Sequence, residues 1–276
     1  MRIMLASKKM TSQIERVQSA FSKQASGFGG VGLTLGRQEL LRWVVGSLPL
    51  TSETRALDVA AGTGHLSRAA APHVRSVAAV DVTAAMLQGL RTEAAQAGLD
   101  NLQPVQADAG RLPFADGQFD LVLCRLGLHH FADPAAEVAE MARVTRASGT
   151  LAIVDLLSPD DVGLAARYNT FERMRDPSHT WAVTADELRN LLHATGRPVA
   201  SWSAREVEVP LDPWLHLTRT PDSTRRTIVQ ALEREMKGGP PTGMRPRERG
   251  GRLSFVQTWA LAQAGPTDRP ARPARA

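Results

Sequence analysis

An apolar segment that breaks into a short glycine turn constrains this 276-residue chain more than any other feature. Residues 56–60 read Ala-Leu-Asp-Val-Ala, residues 61–64 read Ala-Gly-Thr-Gly, and a helical pattern begins near His65. A strand, a glycine turn and a helix in this order open a nucleotide-binding α/β unit, because glycine lets backbone N–H groups come close to a ligand. The segment therefore predicts a ligand site at the carboxyl end of the first strand.

The spacing within the turn separates two kinds of cofactor. A dinucleotide fingerprint starting at position 60 would need glycine at 60, 62 and 65, and the chain has Ala60, Gly62 and His65. The chain instead places Asp58 in the strand and glycines at 62 and 64, which resembles motif I of the class I S-adenosylmethionine (SAM) methyltransferases with Ala60 at the first glycine. A carboxylate suits the ammonium and sulfonium of SAM and would repel a pyrophosphate. An ordinary strand-to-helix turn is the alternative for Asp58 to Gly64.

Strand-like and helix-like patterns alternate along the rest of the chain. Such alternation predicts a mostly parallel sheet with helices on both faces. With the motif I resemblance, this implies an α/β fold of the Rossmann-like class I methyltransferase type, with seven strands and a helical cap. The seven predicted strands are residues 56–60, 77–80, 102–107, 119–124, 149–157, 199–209 and 253–261.

The same patterns divide the chain into a lid, a main domain and a tail. We expect residues 1–50 to form an N-terminal helical lid and residues 51–264 to form the SAM-binding domain. Two insertions, 158–182 and 210–252, are expected to cover the substrate as a cap, with a loop at 238–251. The Pro- and Arg-rich residues 265–276 are expected to form a disordered basic tail.

Three predicted strands carry an aspartate at or near the carboxyl end, namely Asp58, Asp81 and Asp108. Ligands of open α/β sheets bind at this edge. A single strand-end aspartate is usually a turn residue or a helix cap, but three beside a glycine turn predict a binding site. Asp81 can accept hydrogen bonds from both hydroxyls of a ribose, and Asp108 can accept one from the adenine amino group.

Neighbouring residues complete the predicted adenine pocket. The Ala109 N–H can donate to the adenine ring, and the side chains of Val82 and Met86 can pack on its two faces.

Further motifs resemble the methyltransferase type-11 group and the ubiquinone/menaquinone-biosynthesis methyltransferases, over roughly residues 21–259. The resemblance implies SAM-dependent methyl transfer. It also places an F-x-x-x-A-x-x-aromatic helix, here ending at Phe28, over the cofactor as a partial lid, although a helix packed for core reasons alone is equally consistent. The motifs are LPFADGQFDLV (112–122), RLGLHHF (125–131), Val154-Asp155 with Ser158-Pro159, and YNTFERMRDPSH (168–179).

Three histidines are candidates for the base of the reaction. Methyl transfer is an in-line displacement, so the protein positions the reactants, excludes water and deprotonates the acceptor. A neutral imidazole suits the last task. His129 and His130 follow the fourth strand, and His179 lies in a polar loop of the first insertion. The structural alternatives are a helix-cap role for the first two and a surface position for His179.

Two arginines and a tyrosine are the remaining candidates. Arg125 is predicted beside the cofactor and Arg175 beside the substrate, where each can hold an anionic group or simply pair with Asp155 and Asp176. Tyr168, the only tyrosine, can line the pocket or pack in the core.

Composition and charge narrow the expected location and partners of the protein. No apolar run approaches the ~20 residues that span a bilayer, and no signal peptide is visible, so we expect a cytoplasmic protein that contacts no membrane. The net charge of +5 resides in 237–252 and the tail, which are Pro- and Gly-rich, so nucleic acid is not an expected partner. The single cysteine, Cys124, excludes an internal disulfide and a multi-cysteine metal site, and we predict no metal.

Missing motifs narrow the substrate. The (Asn/Asp)-Pro-Pro-aromatic motif of amino-directed enzymes and the Pro-Cys pair of cytosine-C5 enzymes are absent. We therefore predict a monomer or homodimer that transfers a methyl group from SAM to O, N or C of a small molecule, aromatic, quinol-like or from secondary metabolism. The alternative is a protein of the same fold that performs another reaction, such as cyclisation.

Overall fold

The computed structural model describes residues 2–27 and 34–266 and contains eight strands within them. The predicted position Phe28 and the tail from residue 267 lie outside the described residues. The strands are β1 (Arg55–Val59), β2 (Ser76–Asp81), β3 (Leu102–Gln106), β4 (Phe119–Arg125), β5 (Thr145–Leu157), β6 (Val199–Pro210), β7 (Pro246–Arg249) and β8 (Arg252–Ala264).

Helices separate most of these strands. Two of them, α1 (Arg2–Gln24) and α2 (Gln38–Ser47), precede the sheet. The others are α3 (His65–Ala70), α4 (Ala84–Gln96), α5 (Pro134–Val144), α6 (Val162–Arg175), α7 (Ala185–Ala194), α8 (Leu211–Leu217) and α9 (Asp222–Met236). No helix of the described part of the chain combines the length and apolarity that crossing a membrane requires.

The strands form one sheet in the order β3-β2-β1-β4-β5-β8-β6, with β7 paired to β8. The first five pair in parallel, whereas β8 runs antiparallel to β5, β6 and β7. The chain order reverses between β1 and β4, and ligands of such sheets bind at the carboxyl edge beside the reversal. The predicted α/β architecture is confirmed.

The additional strand, β7, lies where the sequence predicted a loop over residues 238–251, and it corrects that expectation. Residues 246–249 pair with 252–255 as a hairpin. Gly250 and Gly251 both have positive φ, 56° and 70°, which the two-residue turns of hairpins require and glycine adopts without strain. The Gly-Gly pair was the sequence signal for this hairpin.

Apolar side chains cover both faces of the sheet. One cluster packs α2, α3, α4, α8 and α9 against one face, and a second packs α5 and α7 against the other. These two layers fix the strand ends, and with them the side chains that leave the carboxyl edge.

A buried arginine fastens the opposite edge of the sheet. The Arg197 guanidinium is 3% exposed and donates to the backbone carbonyls of Thr145, Arg146, Gly149 and Gly265 at 2.7–3.3 Å. Burial lowers its pKa. The four carbonyls belong to the start of β5 and the residue after β8, so one side chain joins two strands.

We predict that Arg197→Lys lowers the free energy of unfolding by about 2–4 kcal/mol, because an ammonium cannot reach four separated carbonyls and leaves some buried without a donor. Urea denaturation measures the loss. Arg91→Lys on the exposed face of α4 is the control and should leave the midpoint unchanged. An equal midpoint for both variants would contradict the role given to Arg197.

Candidate functional site

The turn after β1 is held in left-handed backbone conformations. Ala60, Gly62 and Gly64 have φ of 58°, 57° and 78°. The Ala61 N–H donates to the Val80 carbonyl, and the Gly62 N–H donates to Asp81 Oδ2 at 2.9 Å. The turn is therefore tied to the end of β2.

Gly64 serves packing in this turn. A Cβ at this position would lie 2.7 Å from Leu90 Cγ, so only glycine lets α3 start beside α4. Gly64 itself does not belong to the cavity wall, whereas Gly62, Thr63 and His65 do.

Ala60 is accommodated at the motif's first glycine position by a glycine opposite it. A Cβ on Gly127 would lie 2.6 Å from the Ala60 Cβ and 3.0 Å from Cys124 Sγ. The methyl group of Ala60 thus occupies space that the bare backbone at Gly127 leaves free. Cys124 is fully buried behind it, as a small apolar residue.

A cavity of about 1660 Å³, including the part open to solvent, lies at the carboxyl edge of the sheet. Helix α1 and the 34–35 segment cover it from one side, and α6, β8 and α8 close the other. The predicted site residues in its wall are Asp58, Ala60, Gly62, Asp81, Val82, Asp108, Ala109, Arg125, His129, His130 and Arg175.

Four of the predicted site residues lie outside the cavity wall. Met86 is fully buried and packs with Leu217 below the wall, and Gly64 supports the turn as described. Tyr168 is 1% exposed in the core cluster, and His179 lies behind the wall. Phe28 lies outside the described residues.

The strand-end aspartates carry hydrogen bonds to the surrounding backbone and side chains. Burial raises the pKa of Asp58 to about 6, although Ser67 Oγ donates to it at 2.5 Å. Asp81 accepts from Gly62 and Thr83, and burial raises its pKa as well. Asp108 Oδ1 accepts from the Gly110 N–H at 3.0 Å. These carboxylates are positioned at three adjacent strand ends, as the sequence predicts.

His129 is held by a buried carboxylate of β5. Its Nδ1 lies 2.5 Å from Asp155 Oδ1, and Asp155 also accepts from the N–H groups of Leu128 and Leu156. Burial alone would lower the pKa of His129, but the charge and the hydrogen bond of Asp155 raise it overall. With Nδ1 donating to Asp155, Nε2 carries the lone pair and has no hydrogen-bond partner among the described residues.

His130 belongs to a second network. Its Nδ1 lies 3.2 Å from Ser178 Oγ, which donates to Asp176 Oδ1 at 2.6 Å. Helix α1 joins the network, because Gln13 donates to the carbonyls of His130 and Ser178. Burial and the neighbouring His129 lower the pKa of His130 to about 4.

His179 lies in the loop after α6, as expected, but its ring is buried behind the cavity wall and lies neither at the surface nor in the wall. The ring is 4% exposed and its Nε2 lies 2.7 Å from Asn169 Oδ1, which also accepts from the Ala182 N–H. Burial lowers its pKa. The imidazole fixes the turn after α6.

The two predicted arginines stack on tryptophans. The guanidinium of Arg125 lies 5.5 Å from the Trp259 ring centre and donates to the Leu35 carbonyl. The guanidinium of Arg175 lies 4.9 Å from the Trp214 ring and 3.8 Å from Asp176. Burial lowers the pKa of Arg125 to about 10, an effect that Asp58 and Asp155 oppose.

Sequence reasoning missed the far wall of the cavity. Glu172 is 2% exposed, and its Oε1 accepts from Gln257 Nε2 at 3.0 Å. Gln257 in turn accepts from Trp259 Nε1. Gln257 and Trp259 lie in the apolar strand β8, and no sequence pattern marked them as site residues. The role of Asp155 behind the wall could have been predicted, because it is a fourth aspartate near the end of a strand.

Comparison with known proteins shows the family. A model of the methyltransferase domain matches residues 57–153. YcgJ of Bacillus subtilis, an uncharacterized methyltransferase, is 32% identical over 181 residues, which are 66% of this chain and 72% of that protein. The chain belongs to the methyltransferase family. The resemblance predicted from motif I and the type-11 segments is confirmed.

Other comparisons agree with this family. The crystal structure of YcgJ superimposes with a TM-score of 0.75, covering 84% of this chain and all of that one at 26% identity. A candidate methyltransferase of Bacillus halodurans gives 0.76 at 28% identity, covering 82% and 99%. A demethylmenaquinone methyltransferase of Clavibacter sepedonicus is 27% identical over 239 residues, 85% of this chain and 91% of that protein.

We predict that Gly127→Ala lowers the free energy of unfolding by about 1–3 kcal/mol through the clash with the Ala60 methyl group. Ala60→Gly alone should change it by less than about 1 kcal/mol, because relief of the left-handed conformation offsets the greater freedom of glycine in the unfolded chain. The double variant should recover most of the loss.

Urea denaturation of the four proteins tests this coupling. Gly46→Ala is the matched control, since a Cβ there meets no atom within 4 Å. Additive losses in the double variant would contradict the contact between positions 60 and 127.

Proposed function

We propose that this chain is a SAM-dependent O-methyltransferase of a small hydroxylated aromatic acceptor, with His129 as the general base. The observation that carries the proposal is the His129–Asp155 pair, which lies in the wall of the same cavity as the glycine turn and the strand-end aspartates. Family membership implies SAM, and the pair supplies the proton acceptor that an O-methylation needs.

The residues present fit SAM. Two buried polar atoms in wall residues, Thr63 Oγ1 and Arg125 Nε, have no hydrogen-bond partner in the described part of the chain, and both are donors suited to a carboxylate. Asp58 offers negative charge to an ammonium, Asp81 to ribose hydroxyls, and Asp108 to the adenine amino group. SAM, when bound, supplies an activated methyl group on a sulfonium.

His129 accepts the proton of the acceptor. Asp155 holds Nδ1–H, so the Nε2 lone pair takes the hydroxyl proton as the new O–CH3 bond forms. The raised pKa of His129 makes the imidazole a stronger base, and the charge of Asp155 then stabilises the imidazolium. The low exposure of His129, 7%, keeps water from competing.

The remaining wall favours an aromatic acceptor. Trp214 and Trp259 provide flat apolar surface for its ring. The name of the demethylmenaquinone methyltransferase relative is consistent with a small-molecule acceptor. We propose that α1 acts as a lid and that the 158–182 and 210–252 segments form the cap.

Mass spectrometry tests the function directly. The protein is incubated with SAM and a panel of phenols and quinols, and an acceptor that gains one methyl group together with S-adenosylhomocysteine supports the proposal. Conversion of an acceptor while SAM stays unconsumed would instead support the cyclase-like alternative.

We predict that Asp81→Asn weakens SAM binding by about 10- to 100-fold, because the amide loses the charge and one acceptor for the ribose hydroxyls. Isothermal titration calorimetry measures the affinity. Asp100→Asn, on the surface after α4, should bind SAM as the parent does. Unchanged affinity in the Asp81 variant would refute the cofactor assignment.

We predict that kcat/KM falls at low pH as His129 becomes protonated, since only the neutral ring accepts a proton. The pKa lies above the ordinary ~6.5 because of Asp155. Asp155→Asn removes that charge, so the fall should move to lower pH while the plateau drops about 10²- to 10³-fold.

Steady-state rates between pH 5 and 9, with saturating SAM, check this profile. The exposed His73→Gln variant is the control. It should keep both the pH at which kcat/KM falls and the value of kcat/KM on the plateau. If kcat/KM of the Asp155→Asn variant falls at the same pH as that of the parent, His129 is not the titrating base.

A further inference from the structure

We propose that His130 is a second acceptor-binding residue and that the pair His129–His130 selects an acceptor with two adjacent hydroxyls on one aromatic ring. The inference rests on the proposed O-methylation and adds its substrate class. The geometry that points to it is a pair of neighbouring imidazoles in one wall, each with its Nδ1 engaged and its Nε2 free.

The two rings lie side by side in the cavity wall. Their centres are 4.2 Å apart and their planes are inclined by 46°. Both rings therefore line the same cavity close enough together for one small acceptor to reach them both. Adjacent hydroxyl groups on a ring present two donors at a similarly short separation.

The network behind His130 fixes its tautomer. The Ser178 hydroxyl proton is directed to Asp176 Oδ1, which accepts from the Ser178 N–H as well. Ser178 Oγ can therefore only accept from His130, so Nδ1 carries the hydrogen. The lone pair is left on Nε2, which has no hydrogen-bond partner among the described residues.

The two imidazoles then differ in task. His129, with the charge of Asp155 behind it, takes the proton of the hydroxyl that is methylated. His130 stays neutral, because burial and the adjacent His129 lower its pKa to about 4, and accepts a hydrogen bond from the second hydroxyl. The products are the monomethyl ether, S-adenosylhomocysteine and a proton on His129.

An acceptor with one hydroxyl leaves the Nε2 of His130 without a donor. His130 is 9% exposed, so solvent compensates poorly, and sites built for a hydroxyl reject analogues that lack it. The pair therefore discriminates between one and two hydroxyls.

A purely structural role for His130 makes a different prediction. Helix α1 contacts this residue through the bond from Gln13 to its backbone carbonyl and through the edge of Phe21 against its ring, 4.9 Å between centres. His130→Phe keeps both contacts and removes only the nitrogens. If His130 only supports α1, this substitution leaves the relative rates of the acceptors unchanged.

The test compares 1,2-dihydroxybenzene with phenol and with the 1,3 and 1,4 isomers, by kcat/KM for S-adenosylhomocysteine formation. We expect the parent to prefer the 1,2 isomer at least 10-fold. His130→Phe should bring that ratio to within about 3-fold of unity while changing the phenol rate little, and His130→Gln, whose amide offers an acceptor, should retain part of the preference.

Two further variants separate the network from the fold. Ser178→Ala removes the group that fixes the tautomer, so it should reduce the ratio without touching the substrate, and ¹⁵N NMR should show His130 shifting from the Nδ1–H form. His193→Phe, which alters an exposed imidazole on α7, should leave the ratio unchanged.

The outcomes distinguish the two proposals. Equal preference for all acceptors in the parent, or a ratio that His130→Phe leaves intact, overturns the role of His130 while O-methylation stands. Failure to methylate any member of the series, with SAM bound, overturns the proposed O-methylation itself.

Discussion

Asp155 is the buried carboxylate on which the arrangement of the site depends. Its two oxygens accept from the N–H groups of Leu128 and Leu156 and from Nδ1 of His129. The chain leaves β4 through Leu126, whose φ of 56° is a left-handed conformation that costs an L-residue roughly 1–2 kcal/mol. A strained backbone conformation persists only where the surrounding structure holds it. Asp155, on the neighbouring strand β5, holds the segment after Leu126 through its bonds to Leu128 and His129. The position of the imidazole therefore follows from the pairing of β4 with β5.

The donor and acceptor halves of the cavity meet at Arg125. Its charge acts on both Asp58, beside the glycine turn, and Asp155, behind the proposed base. The same guanidinium stacks on Trp259 and donates to the Leu35 carbonyl. One buried cation therefore lies within electrostatic reach of a carboxylate on each side of the cavity.

Sequence reasoning was most accurate where one residue determines local backbone geometry. The glycine turn and the aspartates at strand ends were predictable, because strand, turn and carboxyl edge follow from short-range patterns. Met86 and His179 were misplaced, since their neighbours, Leu217 and Asn169, lie on other segments and burial is decided by tertiary packing. Tyr168 was left open between pocket and core for the same reason, and the fold places it in the core.

Side-chain amides of one helix complete the site. Gln13 donates to the carbonyls of His130 and Ser178, Gln18 to that of Val82, and Gln24 to the Asp176 carboxylate. The three glutamines thus contact the cofactor side and the acceptor side together. Because their partners are mostly backbone carbonyls that would otherwise need water, α1 satisfies polar groups on both sides of the cavity. In this wall the pKa values of two adjacent histidines move in opposite directions: the charge and hydrogen bond of Asp155 raise that of His129, whereas burial and the neighbouring His129 lower that of His130. The buried partners Asp155 and Ser178 thus determine which nitrogen of each ring carries the proton.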